Sequence, residues 1–198
     1  MPRVGILGGA FNPPHLGHLV CAQEARIQLE LDRVVLVPVG EAPHRVLDDD
    51  PGPEARLALT ELAVEGDPGL AVSRIELDRP GPSYTADTLA ALRTAAPEDE
   101  LTLVLGGDQA AALPAWHQPE RVLALAELAA VERVDWARET IMRSLAGLAG
   151  AERLRFVDMP LIEISSSDVR RRAAAGLPLR YLVPDPVAGL IAERGLYS

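Results

Sequence analysis

Six short runs of apolar, β-favouring residues, separated by stretches with helical spacing, constrain this chain more than anything else in it. The runs fall at Val4–Leu7, Arg33–Val37, Leu70–Ile75, Leu101–Leu105, Leu128–Glu132 and Leu154–Val157. Helical periodicity marks Leu16–Glu30, Glu54–Val64, Thr85–Ala95, Glu120–Ala126 and Arg138–Leu148. Strands alternating with helices of this length predict βαβ units and a mostly parallel sheet covered on both faces, with right-handed crossovers. Two more helical segments, Asp168–Ala175 and Pro186–Arg194, follow the last strand. A chain of 198 residues suits one α/β domain over 1–198, doubly wound, whose C-terminal helical part begins at about residue 165.

Composition narrows the chemistry. All 19 basic residues are arginine, so a Schiff-base lysine and the lysine of a P-loop are both excluded. Any phosphate must be held by arginine, histidine, hydroxyls or backbone amides. A formal net charge of −10 argues against nucleic acid as a partner, though not against a small nucleotide. One cysteine, Cys21, cannot form an internal disulfide, which fits a reducing compartment. No signal peptide and no apolar run of membrane-spanning length is evident, so a cytoplasmic protein without membrane partners is expected. An assembly of identical subunits is left open.

The first strand runs into Gly8-Gly9-Ala10-Phe11-Asn12-Pro13-Pro14-His15-Leu16-Gly17-His18, a strand-to-helix turn with two glycines at its start and two histidines at its end. Turns at the carboxyl end of a parallel strand, opening onto a helix N-terminus, bind phosphorylated ligands. Gly8 and Gly9 remove side chains where a ligand would approach the backbone. His15 and His18, three apart, reach the same side of the turn, and imidazole N–H groups suit phosphate oxygens. Taken alone, the pair also fits a metal site or coincidence.

Three other segments carry chemistry. In Ile164-Ser165-Ser166-Ser167-Asp168-Val169-Arg170-Arg171-Arg172 hydroxyls precede a helix whose first turn is expected to hold arginine. An ordinary serine cap accounts for the hydroxyls, but arginine there opposes the helix dipole unless an anion is bound. Arg170 is the candidate, with Arg171 and Arg172 read as solvated surface. In Gly81-Pro82-Ser83-Tyr84-Thr85-Ala86-Asp87-Thr88 an aromatic ring beside hydroxyls suits a flat polar ligand, and so does a plain capping segment. Leu105-Gly106-Gly107-Asp108 places an acid at a strand's carboxyl end, where ribose hydroxyls bind. Trp116 nearby either stacks on a ring or fills the core. Asp48-Asp49-Asp50-Pro51-Gly52-Pro53 reads as an exposed loop rather than a metal site.

Together, Gly8-Gly9-x-Phe11-Asn12-Pro13-x-His15-x-Gly17-His18 and Ile164-Ser165-Ser166-Ser167-x-x-Arg170 resemble the nucleotidyltransferase superfamily with its (T/H)xGH and ISSTxxR signatures. More narrowly, the chain resembles the bacterial nicotinate-nucleotide adenylyltransferases almost end to end. Pro43-His44-Arg45, Ser83-Tyr84-Thr85-x-Asp87-Thr88 and Arg180-Tyr181-Leu182-Val183-Pro184 carry that narrower likeness, since pantetheine-phosphate adenylyltransferases share the two main signatures. A non-catalytic nucleotide sensor is a further alternative, opposed by retention of both histidines and Arg170.

The resemblance implies a Rossmann-like fold and transfer of AMP from ATP, with Mg²⁺, to nicotinate mononucleotide, giving deamido-NAD and pyrophosphate. It implies catalytic roles for His15, His18 and Arg170. Gly8, Gly9, Phe11, Gly106, Asp108, Ile164, Ser165 and Ser166 would join them in binding ATP, and Arg45, Tyr84, Thr85 and Trp116 would bind the mononucleotide. No protein-bound metal is implied. Three departures stand out: Arg45 where the family often has lysine, Ser167 for threonine, and Ala10 for a hydroxyl residue.

Overall fold

The structure, a computed structural model, describes residues 1–43, 46–131 and 136–198. Its sheet has six parallel strands: β1 (Arg3–Gly9), β2 (Arg33–Pro38), β3 (Leu70–Val72), β4 (Glu100–Gly106), β5 (Glu127–Val131) and β6 (Arg155–Val157). Their order is β3-β2-β1-β4-β5-β6, so the chain winds outward from β1 in one direction and from β4 in the other. That order is the doubly wound arrangement predicted, and the reversal between β1 and β4 opens a crevice at their carboxyl ends.

Alternation along the strands sends side chains to two cores. Val4 and Ile6 of β1, Leu101, Leu103 and Leu105 of β4, and Leu128 and Ala130 of β5 share one cluster. Leu7, Val104, Ala129 and Val131 point the other way and join Ala22 and Ala25 of α1 (Leu16–Gln28). Residues one apart in a strand face opposite sides, and helices cover both faces, so the strands are apolar throughout. Each fully buried leucine contributes about 1.5–3 kcal/mol.

The remaining helices are α2 (Pro53–Val64), α3 (Thr85–Ala95), α4 (Gly107–Ala112), α5 (Pro119–Leu125), α6 (Arg138–Leu145), α7 (Ser166–Ala174) and α8 (Asp185–Glu193). A third cluster joins Leu59 and Ala63 of α2 to Val169 of α7 and to Val187 and Ile191 of α8. The C-terminal helices are therefore packed onto the α/β body. Among the described residues no helix is long and apolar enough to cross a membrane.

Several boundaries differ from the sequence reading. β3 stops at Val72, not Ile75, because Leu77 and Asp78 both donate to the Arg74 carbonyl in a turn. The helix expected to reach Leu148 ends at Leu145, ahead of Gly147 with φ 100°. Helix α4 was not anticipated. It begins directly after β4, so Asp108 lies in a helical first turn rather than on a strand. The strand expected to reach Glu132 is described to Val131, and Glu132 lies outside the described residues.

Candidate active site

The turn between β1 and α1 is built by mutual packing of its own residues. Phe11 has φ 47°, and its ring, 1% exposed, lies edge-on to His18 with centroids 5.1 Å apart. A Cβ at Gly9 would stand 3.1 Å from that ring, whereas one at Gly8 would meet nothing. Phe11 therefore shapes the turn from below, and Gly8 leaves room above it. His15, 5% exposed, is the N-cap residue of α1. Its backbone N–H donates to Nδ1 of His18 at 3.1 Å. A nitrogen that accepts from an amide carries no proton, so neutral His18 keeps its proton on Nε2. The two imidazoles stack, with centroids 3.8 Å apart. A Cβ at Gly17 would lie 3.0 Å from the His15 ring, which explains the glycine between the histidines.

Helix α7 docks on this turn from the far end of the chain. Ser166 Oγ donates to the Pro13 carbonyl at 2.9 Å. Arg170, its side chain 11% exposed, donates to the Asn12 carbonyl at 2.9 Å, to Asp49 at 3.3 Å and to Ser167 Oγ at 3.4 Å. Because α7 starts at Ser166, Arg170 lies in its second turn, and the helix-dipole argument for an anion loses its footing. What marks Arg170 is its position against the turn. Ser165 caps the helix: its Oγ accepts from the Asp168 amide at 3.1 Å and donates to the Asp168 carboxylate at 2.7 Å. Those bonds and Arg171 hold the Asp168 carboxyl below the usual carboxylate range. Ile164 is half-buried against the third cluster. Arg171 is exposed and Arg172 donates to the Pro178 carbonyl, so both face away from the site.

The acidic loop is exposed, as expected, yet tethered at each aspartate. Asn12 Nδ2 donates to the Asp48 carbonyl at 2.8 Å, Asp49 meets Arg170, and Asp50 accepts from Arg56 at 2.9 Å. Arg56, 1% exposed, also donates to the carbonyls of Ala10, Val39 and Gly40. It links the β1 exit, the β2 exit and the loop. Sequence reasoning missed it, and the signal was a guanidinium embedded among Leu57, Leu59 and Thr60 on a helix.

Beside the turn, at the carboxyl ends of β1, β2 and β4, lies a cavity of about 330 Å³. Tyr84, Thr85 and Trp116 all line it, together with Gly8 and Gly9, which connect it to the histidines. The Tyr84 ring stacks on His117 with centroids 4.3 Å apart. Thr85 opens α3, where the Asp87 and Thr88 amides donate to the Tyr84 carbonyl and the Thr85 and Ala86 amides have no intrahelical acceptor. Buried Glu76 also lines the cavity and was not singled out in the sequence. Gly106 and Asp108 stand outside the lining. A Cβ at Gly106 would be 2.9 Å from Asp108 Oδ1, so this glycine lets the carboxylate fold back over the β4 exit. Arg45 lies outside the described residues.

Known proteins share this pattern. Residues 6–172 match the cytidylyltransferase-like family profile. A curated relative from Roseiflexus sp. (strain RS-1), described as a probable nicotinate-nucleotide adenylyltransferase, is 45% identical over 98% of this chain and 97% of its own. Another of the same description, from Thermomicrobium roseum, is 40% identical over 100% of this chain and 92% of its own. In three dimensions, the Plasmodium falciparum nicotinic acid mononucleotide adenylyltransferase complexed with NaAD superposes with a TM-score of 0.81. It is 15% identical and the match covers 100% of this chain and 98% of that one, a likeness of fold. With a profile match over most of its length and full-length relatives at this identity, the chain belongs to the cytidylyltransferase-like family and, within it, to the nicotinate-nucleotide adenylyltransferases.

Proposed function

We propose that this chain transfers AMP from MgATP to nicotinate mononucleotide, forming deamido-NAD and releasing pyrophosphate. The observation that carries the reading is adjacency along the chain: Gly8, Gly9 and Ala10 line a cavity of about 330 Å³ and lead directly into the turn that bears the stacked His15 and His18 and receives Arg170 at the Asn12 carbonyl. A mononucleotide with its ring in the cavity would direct its phosphate along that turn. The phosphate is already an anion, so it attacks the α-phosphorus in line without a strong base. One P–O bond forms as the bond to the pyrophosphate leaving group breaks.

The chain's work is then positioning and charge stabilisation. His18 Nε2–H, its tautomer set by the His15 amide, donates to a phosphate oxygen. Arg170 and the N-terminus of α7 receive the outer phosphates, with Asp49 giving way. Asp108 and Gly106 face the ribose. Tyr84 and Trp116 flank the pyridine ring, and the first amides of α3 donate to its carboxylate. Mg²⁺ enters with ATP, on phosphate oxygens and water, the ligands that ion prefers. Positioning of two like-charged reactants can supply up to roughly 7–11 kcal/mol. The reading puts the enzyme in the cytoplasm, in keeping with its single cysteine.

Pyrophosphate release from MgATP tests the proposal, with nicotinate mononucleotide, nicotinamide mononucleotide and phosphopantetheine compared as acceptors. Nicotinate mononucleotide is expected to give the highest kcat/KM. Faster turnover of either other acceptor overturns the substrate assignment.

A further inference from the structure

The cavity wall carries a charge that the reaction as drawn does not use. Apart from Gln109 and the imidazole of His117 its other residues are aliphatic, hydroxyl-bearing and aromatic, and among the described residues lining it Glu76 has the sole carboxyl group and arginine is absent. Glu76 is 8% exposed. Thr88 Oγ1 donates to its carboxyl at 2.7 Å, and the polar groups of Ser83 and Gly40 act to hold its proton affinity down. Burial raises the proton affinity of this carboxyl, while these groups and Arg79 oppose the rise. Thr88 Oγ1 accepts from Arg79 and turns its own hydrogen to the carboxyl, an arrangement that suits an ionised carboxylate. Arg79 stands behind the wall, donating to Thr88 Oγ1 at 3.3 Å, and is not part of the lining.

We propose that Glu76 determines specificity by presenting a fixed negative charge to the cationic pyridinium ring of the mononucleotide. The inference rests on the functional reading above. A pyridinium that leaves water for an aliphatic cavity loses its hydration, and a preorganised carboxylate replaces it. The faces of Tyr84 and Trp116 attract a cation with the same sign. The same carboxylate repels an acidic ring substituent. Preference for nicotinate therefore comes from the amides at the start of α3, and the wall supplies preference for the charged ring.

The test compares nicotinate mononucleotide with its 1,4-dihydro form, which keeps the substituent and phosphate but has a neutral ring. Dissociation constants of both are measured by calorimetry on the full chain, wild type and Glu76→Gln. The wild type is expected to favour the pyridinium about tenfold, and Glu76→Gln to compress that preference to about two- or threefold. Stacking is common to both proteins, so the compression isolates the carboxylate. An undiminished preference in folded Glu76→Gln overturns the proposal. So does a wild-type preference below about twofold, a result that needs no variant to fold. Pyrophosphate release on the same preparation separates the failures. Absence of turnover sinks the functional reading and this inference with it, whereas turnover without a charge preference sinks the inference alone.

Discussion

The two halves of the site are built differently. The histidine turn, packed on its own rings, is tied down by hydrogen bonds from elements remote in sequence: Ser166 and Arg170 of α7 bind the carbonyls of Pro13 and Asn12, and Leu182 accepts from the Leu16 amide. The ring cavity is fixed by packing, with Ile6, Val37, Leu103 and Leu105 as its floor and Tyr84 and Trp116 at its wall. Hydrogen bonds define direction, which a phosphate in transfer requires. Apolar walls define shape, which a planar ring requires. On the function proposed above, the difference assigns rate and recognition to separable parts of the site.

Substitutions on either side can break that separation. The largest effect is expected for His18→Ala, which removes the Nε2 donor. Steady-state kinetics should show kcat down by roughly 10²–10³, with KM for both substrates within a few-fold; the melting temperature should fall slightly, because the His15 amide loses its acceptor. A drop confined to KM would place His18 in binding rather than in the transition state.

Trp116→Ala is expected to act in the complementary way. KM for the mononucleotide should rise on the order of tenfold, with kcat and the KM for ATP little changed. An equal loss in kcat would join the two halves again.

The smallest effect concerns the platform of α7. Asp168 has its folded pKa depressed by Ser165 and Arg171, so its contribution is present above the unfolded carboxylate value and lost as pH falls through the folded value. Urea melts of Asp168→Asn should show a slight loss of stability at neutral pH that vanishes in acid. A difference that persists at low pH would assign the effect to packing.

The strands were legible because continuous apolar, β-favouring runs are local signals, and the turn from Gly8 to His18 was legible because its residue types are unusual together. Helix α4 was not, since Gly106-Gly107 reads as a breaker and the helix has only six residues, Gly107 among them. Its start depends on tertiary fit, as a Cβ at Gly107 would lie 2.7 Å from Trp136. Arg170 was found, but on an argument about a first helical turn that the structure moves to the second. Glu76 was hidden because Arg74-Ile75-Glu76-Leu77-Asp78 alternates like a strand edge, and only the approach of Ser83, Thr88 and Gly40 buries it.

Arg56 gives the absence of lysine a structural meaning. Its guanidinium reaches four acceptors lying in different directions: one carboxylate and three carbonyls, from the exits of two strands and a loop. An ammonium has three donors on one atom and cannot span such a set. Whatever nucleotide-level bias filled this sequence with arginine, at residue 56 the planar ion has become a joint of the frame. Ala10 and Val39, whose carbonyls it holds, both line the cavity, and Ala10 also belongs to the histidine turn. Two parts that divide the chemistry between them thus share one mechanical reference point, and neither strand exit can shift without the other registering it.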